Sequence, residues 1–559
     1  MCGIFGCVGS NAYAKVLNGL KMLQYRGYDS CGIAYFNEGF KIEKAVGSLN
    51  NLKNISTIND IAFGHTRWAT NGIVNIENAH PHVSYDNKFV IVHNGIIKNM
   101  SKIKDELIKN NVSFYSETDT EVIVNLIAYK SMFSPLEEVL QSLFDELEGS
   151  FSLIVGNSEG TLYLLKKFSP LNLLFTDDEI YVSSDISSLK DGKIYTLRDG
   201  DILKISNKVV TKINGENIEY TAHKNSFKTL ALKEHKYFME KEIFETPTAI
   251  KNTYNSIKNN ADYLLMNEFK KITLVGCGTA YHSCLIGEYL LKNELNKDIE
   301  TFLASNYTLK YKIKKNHLHI IVSQSGETAD CIKVAEEIKH FNGKLLLITN
   351  EPHSTLAKMA DYHIFTNAEK EIAVASTKTY CCQLFIFAYI CHRMKNQNFN
   401  LNIDTFTEQL NDFIMQLDIG EVAQQLKSLD KLILIAKDID YVTILEASLK
   451  IREIDYLYTL PMYAGELKHG TLSLITEDSF VLTLNTDSVK NKLQSSINEI
   501  KSRQGKVIDF SNYIPKEIDE YFKPIFAIIP FQLLSYKIAV LNGRNPDMPR
   551  NLAKSVTVE

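Results

Sequence analysis

Apolar and polar residues alternate in short runs through the first 225 positions. FVIVHNGII, FSLIVGN, TLYLLKKF, EIYVSS, GKIYTL and GDILKI read as strands, punctuated by turn signals at Gly47-Ser48, Asp191-Gly192 and Asp199-Gly200. Two stretches with helical spacing, 12–25 and 120–132, interrupt them. That mixture predicts a sheet-rich α+β domain with helices packed on its sheets. Residues 226–250 fall in a polar stretch, HKNSFKTLALKEHKYFMEKEIFETP, which reads as a linker.

From about 251 to 400 the pattern changes to strand followed by helix. KKITLVG leads into GCGTAYHSCLIGEYLL, HLHIIV into SQSGETADCIKVAEEI, and GKLLLIT into NEPHSTLAKMA. Residues 401–545 repeat the scheme with KLILIA, SFVLTLN and GKVIDF, each about 160 positions after its counterpart. This argues for a duplicated α/β unit: two parallel sheets covered by helices, with ligands at the carboxyl ends of the strands. The apolar stretch 524–541 is interrupted by Pro530, Gln532 and Lys537, so it reads as a buried strand followed by a helix. A membrane span needs about 20 apolar residues. Residues 546–559 form a polar tail too short for a core of its own.

Composition narrows the function classes. With 559 residues, 61 Lys+Arg against 66 Asp+Glu and a net charge of -5, no basic footprint for nucleic acid is present. Nine cysteines without a C-x-x-C pair fit neither a disulfide scaffold nor a structural zinc site. No His/Asp/Cys cluster has metal-ligand spacing, so no metal and no cofactor is expected. The N-terminus lacks a signal-peptide pattern, and a cytoplasmic protein without membrane contact is expected.

The candidate chemistry begins at Cys2. Removal of Met1 gives this cysteine a free α-amine, which titrates near pH 8 and can serve as base for its own thiol. Taken alone, Cys2 reads as a small buried residue. It opens an ordered series, however: CGIFG (2–6), YRGYDS (25–30), GHTRWATNG (64–72), NAHPH (78–82), HNGII (93–97) and SETDTE (116–121). The series resembles the N-terminal-nucleophile (Ntn) glutaminase domain of glutamine amidotransferases, over residues 1–225. The resemblance implies that Cys2 attacks the glutamine side-chain amide, with Asn94 and the Gly95 N–H stabilising the oxyanion. It implies that Arg67 holds the glutamine α-carboxylate and Asp119 its α-ammonium, with Arg26 and Thr70 shaping the pocket. Trp68, the single tryptophan, would gate ammonia passage. The family's loop commonly reads ATHG where this chain has Asn71.

SQSGET (323–328) stands between an apolar strand and a helical run, placing hydroxyls and free N–H groups where an anion binds. With VASTK (374–378), the ASLKIREI…AGELKHG segment (447–470) and PRNLAKSVTVE (549–559), it resembles the paired sugar-isomerase (SIS) domains of the glucosamine-6-phosphate synthase family. That resemblance runs end to end. It implies that Ser323, Gln324, Ser325 and Thr328 hold the sugar phosphate, with Thr279, Val374, Ser376 and Lys450 also at the sugar pocket. It further implies Lys554 as the Schiff-base lysine, Glu453 as the base moving a proton between C1 and C2, and His469 as the ring-opening group. Lys450 and Glu453 lie three apart on one helical face, where the ammonium keeps the carboxylate ionised. The implied substrates are glutamine and fructose 6-phosphate, and the implied assembly is a homodimer.

The chain departs from the family at 304–310, at Ala280 and at 436–438, where Ala-Lys-Asp stands for a Gly-Arg-Gly turn. Two other readings therefore stand beside the first: an amidotransferase for a different ketose phosphate, and a sugar-phosphate-binding regulator without turnover.

Overall fold

The computed structural model describes residues 2–53, 55, 59–69, 71–224, 232, 234–260, 262–307, 316–487 and 493–556. The chain folds as two compact units, Met1–Ala231 and Leu232–Thr557.

The first unit holds an eight-stranded and a six-stranded sheet, both antiparallel. Strand Gly3–Val8 lies inside the larger sheet, between Ile61–Arg67 and Ile180–Ser183. Its residues alternate between two cores. Ile4 and Val8 meet Val90, Val92, Ile154 and Leu164 of the smaller sheet, whereas Phe5 and Cys7 meet Tyr13, Val16 and Leu20 of helix Ala12–Leu23. On the far side, Phe89 and Ile91 pack beneath helices Met100–Lys109, Asp119–Lys130 and Leu136–Glu146. Four layers result: helix, sheet, sheet, helices. Strands buried on both faces are continuously apolar, which is why FVIV and SLIV do not alternate. The expected α+β class and both expected helices are present. Helices 100–109 and 136–146 lay unread beneath charged sequence.

The second unit contains two parallel sheets. One has five strands in the order Asp298–Leu303, Lys271–Gly276, His317–Val322, Lys344–Thr349, Tyr362–Phe365; the other has four, Tyr458–Tyr463, Lys431–Ala436, Phe480–Leu484, Lys506–Asp509. The shared strand order at a fixed offset bears the mark of duplication. One continuous core joins the halves. It takes Leu274, Ile320 and Leu346 from the first sheet, Leu434 and Leu482 from the second, and helices Lys378–Lys395 and Lys523–Leu541 from between.

Two expectations are corrected here. Residues 524–541 are not strand then helix: one helix, Lys523–Leu541, runs through Pro530 and is buried on nearly every side. A helix enclosed by its own protein has no polar face, so periodicity cannot separate it from a strand, and only its length does. The stretch 226–250 is not a linker throughout. Helices Phe238–Phe244 and Thr246–Ile257 occupy its later part and place Met239, Ile243 and Ile250 in the core at no measurable exposure. Asp547, in the C-terminal tail, accepts the N–H groups of Phe238 and Met239 at 2.8 and 2.7 Å and holds the start of the first helix.

Glu242 on that helix is buried, accepting N–H groups from Ile372 and Ala373. Burial first, and then the neighbouring Glu371 carboxylate, push its pKa up to about 8 from an ordinary 4.5. A carboxyl whose folded pKa is raised contributes stability fully below its unfolded value and loses it as pH rises through the folded one. Parent protein is therefore expected to lose melting temperature relative to Glu242→Gln between pH 4.5 and about 8. Thermal scans of both proteins across that window check this, and a pH-independent difference refutes it. Ile243→Ala is expected to cost about 2–5 kcal/mol in denaturant unfolding, the cost of a cavity in a core rather than of a change in a connector.

Candidate functional site

In the first unit the strand ends converge on Cys2. Its thiol is half-buried and accepts the Trp68 N–H at 3.3 Å, while its carbonyl accepts the Asn94 side-chain N–H at 3.1 Å. Burial pushes the thiol pKa up; the Trp68 N–H and the Arg67 and Arg26 guanidinium groups pull against it. Asn94 is held in turn by His65, whose Nε2 lies 3.0 Å from Asn94 Oδ1. Burial, reinforced by Arg67, lowers the His65 pKa to about 3, so the ring is neutral and its Nε2 proton points at that oxygen. Behind it stand three more buried histidines: the His80 ring stacks on His65 at 4.1 Å, and His80 and His93 share Thr120 Oγ1 at 3.2 and 3.0 Å. His82 reaches Thr118 Oγ1 at 3.1 Å.

Gly95 has φ +137°, and a Cβ there would lie 1.9 Å from the Ser150 carbonyl oxygen, so only glycine fits. Arg67 is buried and donates to the carbonyls of Asn71, Gly72 and Ile73, pinning the loop after Trp68. Asn78 and Glu117 bond reciprocally: the Glu117 N–H donates to Asn78 Oδ1 at 2.8 Å and Asn78 Nδ2 to Glu117 Oε2 at 2.9 Å. Asp119 opens helix Asp119–Lys130, where Thr118 accepts the Glu121 N–H as N-cap. Its carboxylate accepts the Ile97 N–H at 3.0 Å and lies 3.8 Å from His93. Arg26 pairs with Asp185 at 3.1 Å. Thr70 lies outside the described residues.

In the second unit the candidates gather around the carboxyl ends of the two parallel sheets. Ser323–Thr328 links strand His317–Val322 to helix Ala329–His340. Ser323 Oγ lies 3.1 Å from Thr328 Oγ1 and accepts the Gly326 N–H at 3.2 Å, while the Gln324 carbonyl accepts the Asn350 N–H at 3.1 Å. Gly326, at φ +61°, passes so close to Ser354 that a Cβ would sit 2.0 Å from its oxygen. Val374 donates its N–H to the Asp547 carbonyl at 3.0 Å, and Ser376 shares a 2.6 Å hydrogen bond with Thr379.

The tail lies across this loop. Ser555 Oγ is 2.9 Å from Ser325 Oγ, and the Val556 carbonyl accepts the Ala329 N–H at 3.1 Å. Just before them Lys554 donates to the Ala373 carbonyl at 2.8 Å and forms an ion pair with fully buried Glu371. Burial alone would raise the Glu371 pKa, but the Lys554 ammonium and donors from Thr377 and Thr379 outweigh it and bring it to about 2. Asn551 and Leu552 line a cavity of about 320 Å³ together with Arg452 and Glu453.

Helix Asp438–Asp455 carries Glu446, Lys450 and Glu453 at i, i+4 and i+7. Lys450, expected among the sugar-phosphate contacts, is fully buried, its ammonium committed to Glu453 at 2.7 Å, Thr279 at 3.1 Å and Glu446 at 3.3 Å. Glu446 also accepts from Thr279 at 3.0 Å and pairs with His282 at 2.6 Å. Burial works against its charge, yet Lys450 and His282 lower its pKa overall. Burial works against the Lys450 ammonium too, and the Glu446 and Glu453 carboxylates outweigh it and raise the Lys450 pKa. Asp438 adopts φ +52°, so the Ala-Lys-Asp turn keeps a left-handed residue where the family has glycine. His469 is exposed, and no hydrogen bond or ion pair joins it to the other candidates among the described residues.

Glu371, Glu446 and the histidines behind Asn94 are the residues that sequence reasoning did not assign. Glu446 lies four positions before Lys450, on the helical face that Lys450 shares with Glu453 three positions after it. Glu371 lies three before Val374, and His65, His80, His82 and His93 stand inside the quoted motifs.

Residues 65–191 match the model of the glutamine amidotransferase domain family, and residues 265–393 and 425–530 match that of the SIS domain. The chain is 36% identical to the glutamine–fructose-6-phosphate aminotransferase (isomerizing) of Caldanaerobacter subterraneus subsp. tengcongensis, with 100% of both chains covered. It is 35% identical to the protein of the same name from Thermococcus kodakarensis, again over 100% of both. The C-terminal domain of glucosamine-fructose-6-phosphate aminotransferase from Francisella tularensis superposes with a TM-score of 0.51 at 28% identity, covering 57% of this chain and 100% of that one. Similarity at this level across the whole length, with a glutamine amidotransferase domain followed by two SIS matches, shows that the chain belongs to the glutamine–fructose-6-phosphate aminotransferase (isomerizing) family.

Proposed function

We propose that the protein transfers the amide nitrogen of glutamine to fructose 6-phosphate, isomerises the product and releases glucosamine 6-phosphate and glutamate. The observation that carries this reading is the C-terminal tail, which reaches the hydroxyl-rich loop 323–328 through Ser555 while its Lys554 amine is held at Ala373 and Glu371, in a chain whose N-terminus holds Cys2 beside Asn94. Cys2 attacks the glutamine amide, Asn94 and Gly95 stabilise the oxyanion, Arg67 and Asp119 hold the substrate's α-carboxylate and α-ammonium, and Arg26 and Thr70 shape the pocket. Trp68, whose N–H already touches the sulfur, gates the released ammonia.

In the second unit Ser323, Gln324, Ser325 and Thr328 hold the phosphate, and Val374 and Ser376 line the sugar. Lys554 forms a Schiff base with the ketose carbonyl. Glu371, with a pKa near 2, is too weak a base to take the lysine proton, so it positions the ammonium until substrate displaces the pair. Glu453, paired with the Lys450 ammonium at 2.7 Å, moves the proton between C1 and C2. His469 is exposed on its own chain, which supports a homodimer in which it opens the sugar ring in the partner's site. A cytoplasmic location and a catalytic cycle without metal complete the reading. The changed residues at 436–438 favour testing a second ketose phosphate beside the first.

Cys2→Ala, or an extension ahead of residue 2, is expected to abolish glutamate formation; retained glutaminase activity removes Cys2 from the mechanism. Lys554→Ala is expected to abolish hexosamine phosphate while glutamine hydrolysis continues, and borohydride with fructose 6-phosphate should label the parent but not this variant. Glu371→Gln is expected to lower amination by at least about tenfold and to shift its pH profile, with glutamine hydrolysis unchanged. Assays of glutamate and hexosamine phosphate on the same samples separate these outcomes, and a panel of ketose phosphates tests the alternative substrate.

A further inference from the structure

Two thiols sit at the roots of the two segments that present hydroxyls to the sugar phosphate. Cys277 follows strand Lys271–Gly276 and precedes Thr279 by two residues; Cys331 lies in the first turn of helix Ala329–His340, three residues after Thr328. Their sulfurs are 4.0 Å apart although 54 residues separate them in sequence. Cys277 is half-buried and so within reach of a small oxidant, while Cys331 is fully enclosed. Cys277 stands between two glycines: Gly276 packs against the Ala280–Tyr281 backbone, while Gly278, at φ +52°, has open space where a Cβ would stand and leaves that side of the turn free to adjust. The two thiols lie within hydrogen-bonding reach of each other, and the contact lowers the Cys277 pKa and raises that of Cys331, which favours the thiolate on the accessible sulfur.

We propose that Cys277 and Cys331 are a peroxide-sensitive pair whose disulfide clamps the 277–279 turn to the 323–331 segment and so shuts down sugar-phosphate binding. The Cys277 thiolate attacks one oxygen of hydrogen peroxide, the O–O bond breaks, and the departing hydroxide takes up a proton, leaving a sulfenic acid. The Cys331 sulfur then attacks the sulfenyl sulfur. The S–S bond forms, the S–O bond breaks and water leaves with the Cys331 proton. Two thiols lose two electrons in all, and one peroxide becomes two waters.

Forming the bond draws the sulfurs from 4.0 Å to about 2.05 Å. The movement is transmitted to Thr279, whose hydroxyl bonds Glu446 at 3.0 Å and Lys450 at 3.1 Å, and to the start of the helix that follows Thr328. Both sides of the sugar site shift together. Dithiothreitol reverses the bond by thiol–disulfide exchange.

The bond itself follows from the sulfur geometry alone; its effect on substrate rests on the reading of the second unit as the fructose 6-phosphate site. The test uses full-length Cys2→Ala protein, so that the N-terminal thiol does not compete, with and without Cys331→Ser. After hydrogen peroxide, peptide mapping is expected to show a Cys277–Cys331 cross-linked peptide that dithiothreitol removes and Cys331→Ser lacks. Calorimetric affinity for fructose 6-phosphate is expected to fall by at least about tenfold on oxidation, the worth of a lost hydrogen bond to a charged group, and to recover on reduction. Cys331→Ser is expected to bind equally well before and after peroxide. Absence of the cross-linked peptide overturns the pairing, and a cross-link that leaves affinity unchanged overturns the clamp. Reduced protein that does not bind fructose 6-phosphate counts against the proposed substrate, while the peptide map still decides the bond.

Discussion

An ammonium withdrawn from water must be met by a carboxylate, and the second unit is organised around two such pairs. Lys450 has no exposed surface, and Glu446 and Glu453 flank its charge on the same helix. Lys554 is nearly as enclosed and meets Glu371. Removing one member of a buried pair leaves a charge that water cannot reach, commonly at a cost of about 3–5 kcal/mol. These contacts therefore fix positions as well as charge states. Thr279 and His282, from the first half of the duplication, complete the Lys450 group through Glu446. The two halves are thus joined by a polar knot at the strand ends as well as by the apolar core beneath.

Beside Cys2 the first unit handles its buried polar groups in the opposite way. Around Asn94 it places four histidines, and burial drives their pKa values down so that the rings are neutral donors and acceptors. A neutral ring has one N–H and one bare nitrogen, so each hydrogen bond fixes the orientation of its partner. His65, stacked on a His80 ring that Thr120 holds in turn, meets the Asn94 side-chain oxygen and so leaves the Asn94 amide one way to face, with its N–H toward Cys2. Orientation here comes from hydrogen-bond direction, where the second unit relies on ion pairing.

Much of this was legible in the sequence because strands and loops announce themselves locally. The six apolar runs of the first unit, the strand–loop–helix punctuation around SQSGET and the 450/453 spacing each depend on residues close together in the chain. The unread features depend on distance. Helix Phe238–Phe244 looks like a connector because its charged Glu240 and Lys241 flank the few residues that reach the core, and its start is held by Asp547 some 300 positions later. Helix Lys523–Leu541 is apolar all round because the protein surrounds it, which erases the periodicity that marks a surface helix. Glu371 carries no motif, since its partner lies 183 residues away in a tail whose fold is set from outside.

That tail has no core, so its course is decided by polar contacts with the site it crosses. Arg550 donates its N–H to Tyr456 at the end of the Lys450 helix, Asn551 and Leu552 border the Glu453 cavity, Lys554 meets Glu371, and Ser555 and Val556 reach the 323–329 segment. A phosphate bound by Ser325 would compete directly with the Ser555 contact, and a ketose carbonyl on Lys554 would replace its pairing with Glu371. With those proposed roles, substrate binding and tail order would be linked equilibria: whatever free energy a ligand gives up to displace these contacts is free energy that held the tail in place. A lysine carried on such a strap can be well positioned when the site is empty and still be released to the substrate. A lysine buried in the core, as Lys450 is, cannot be.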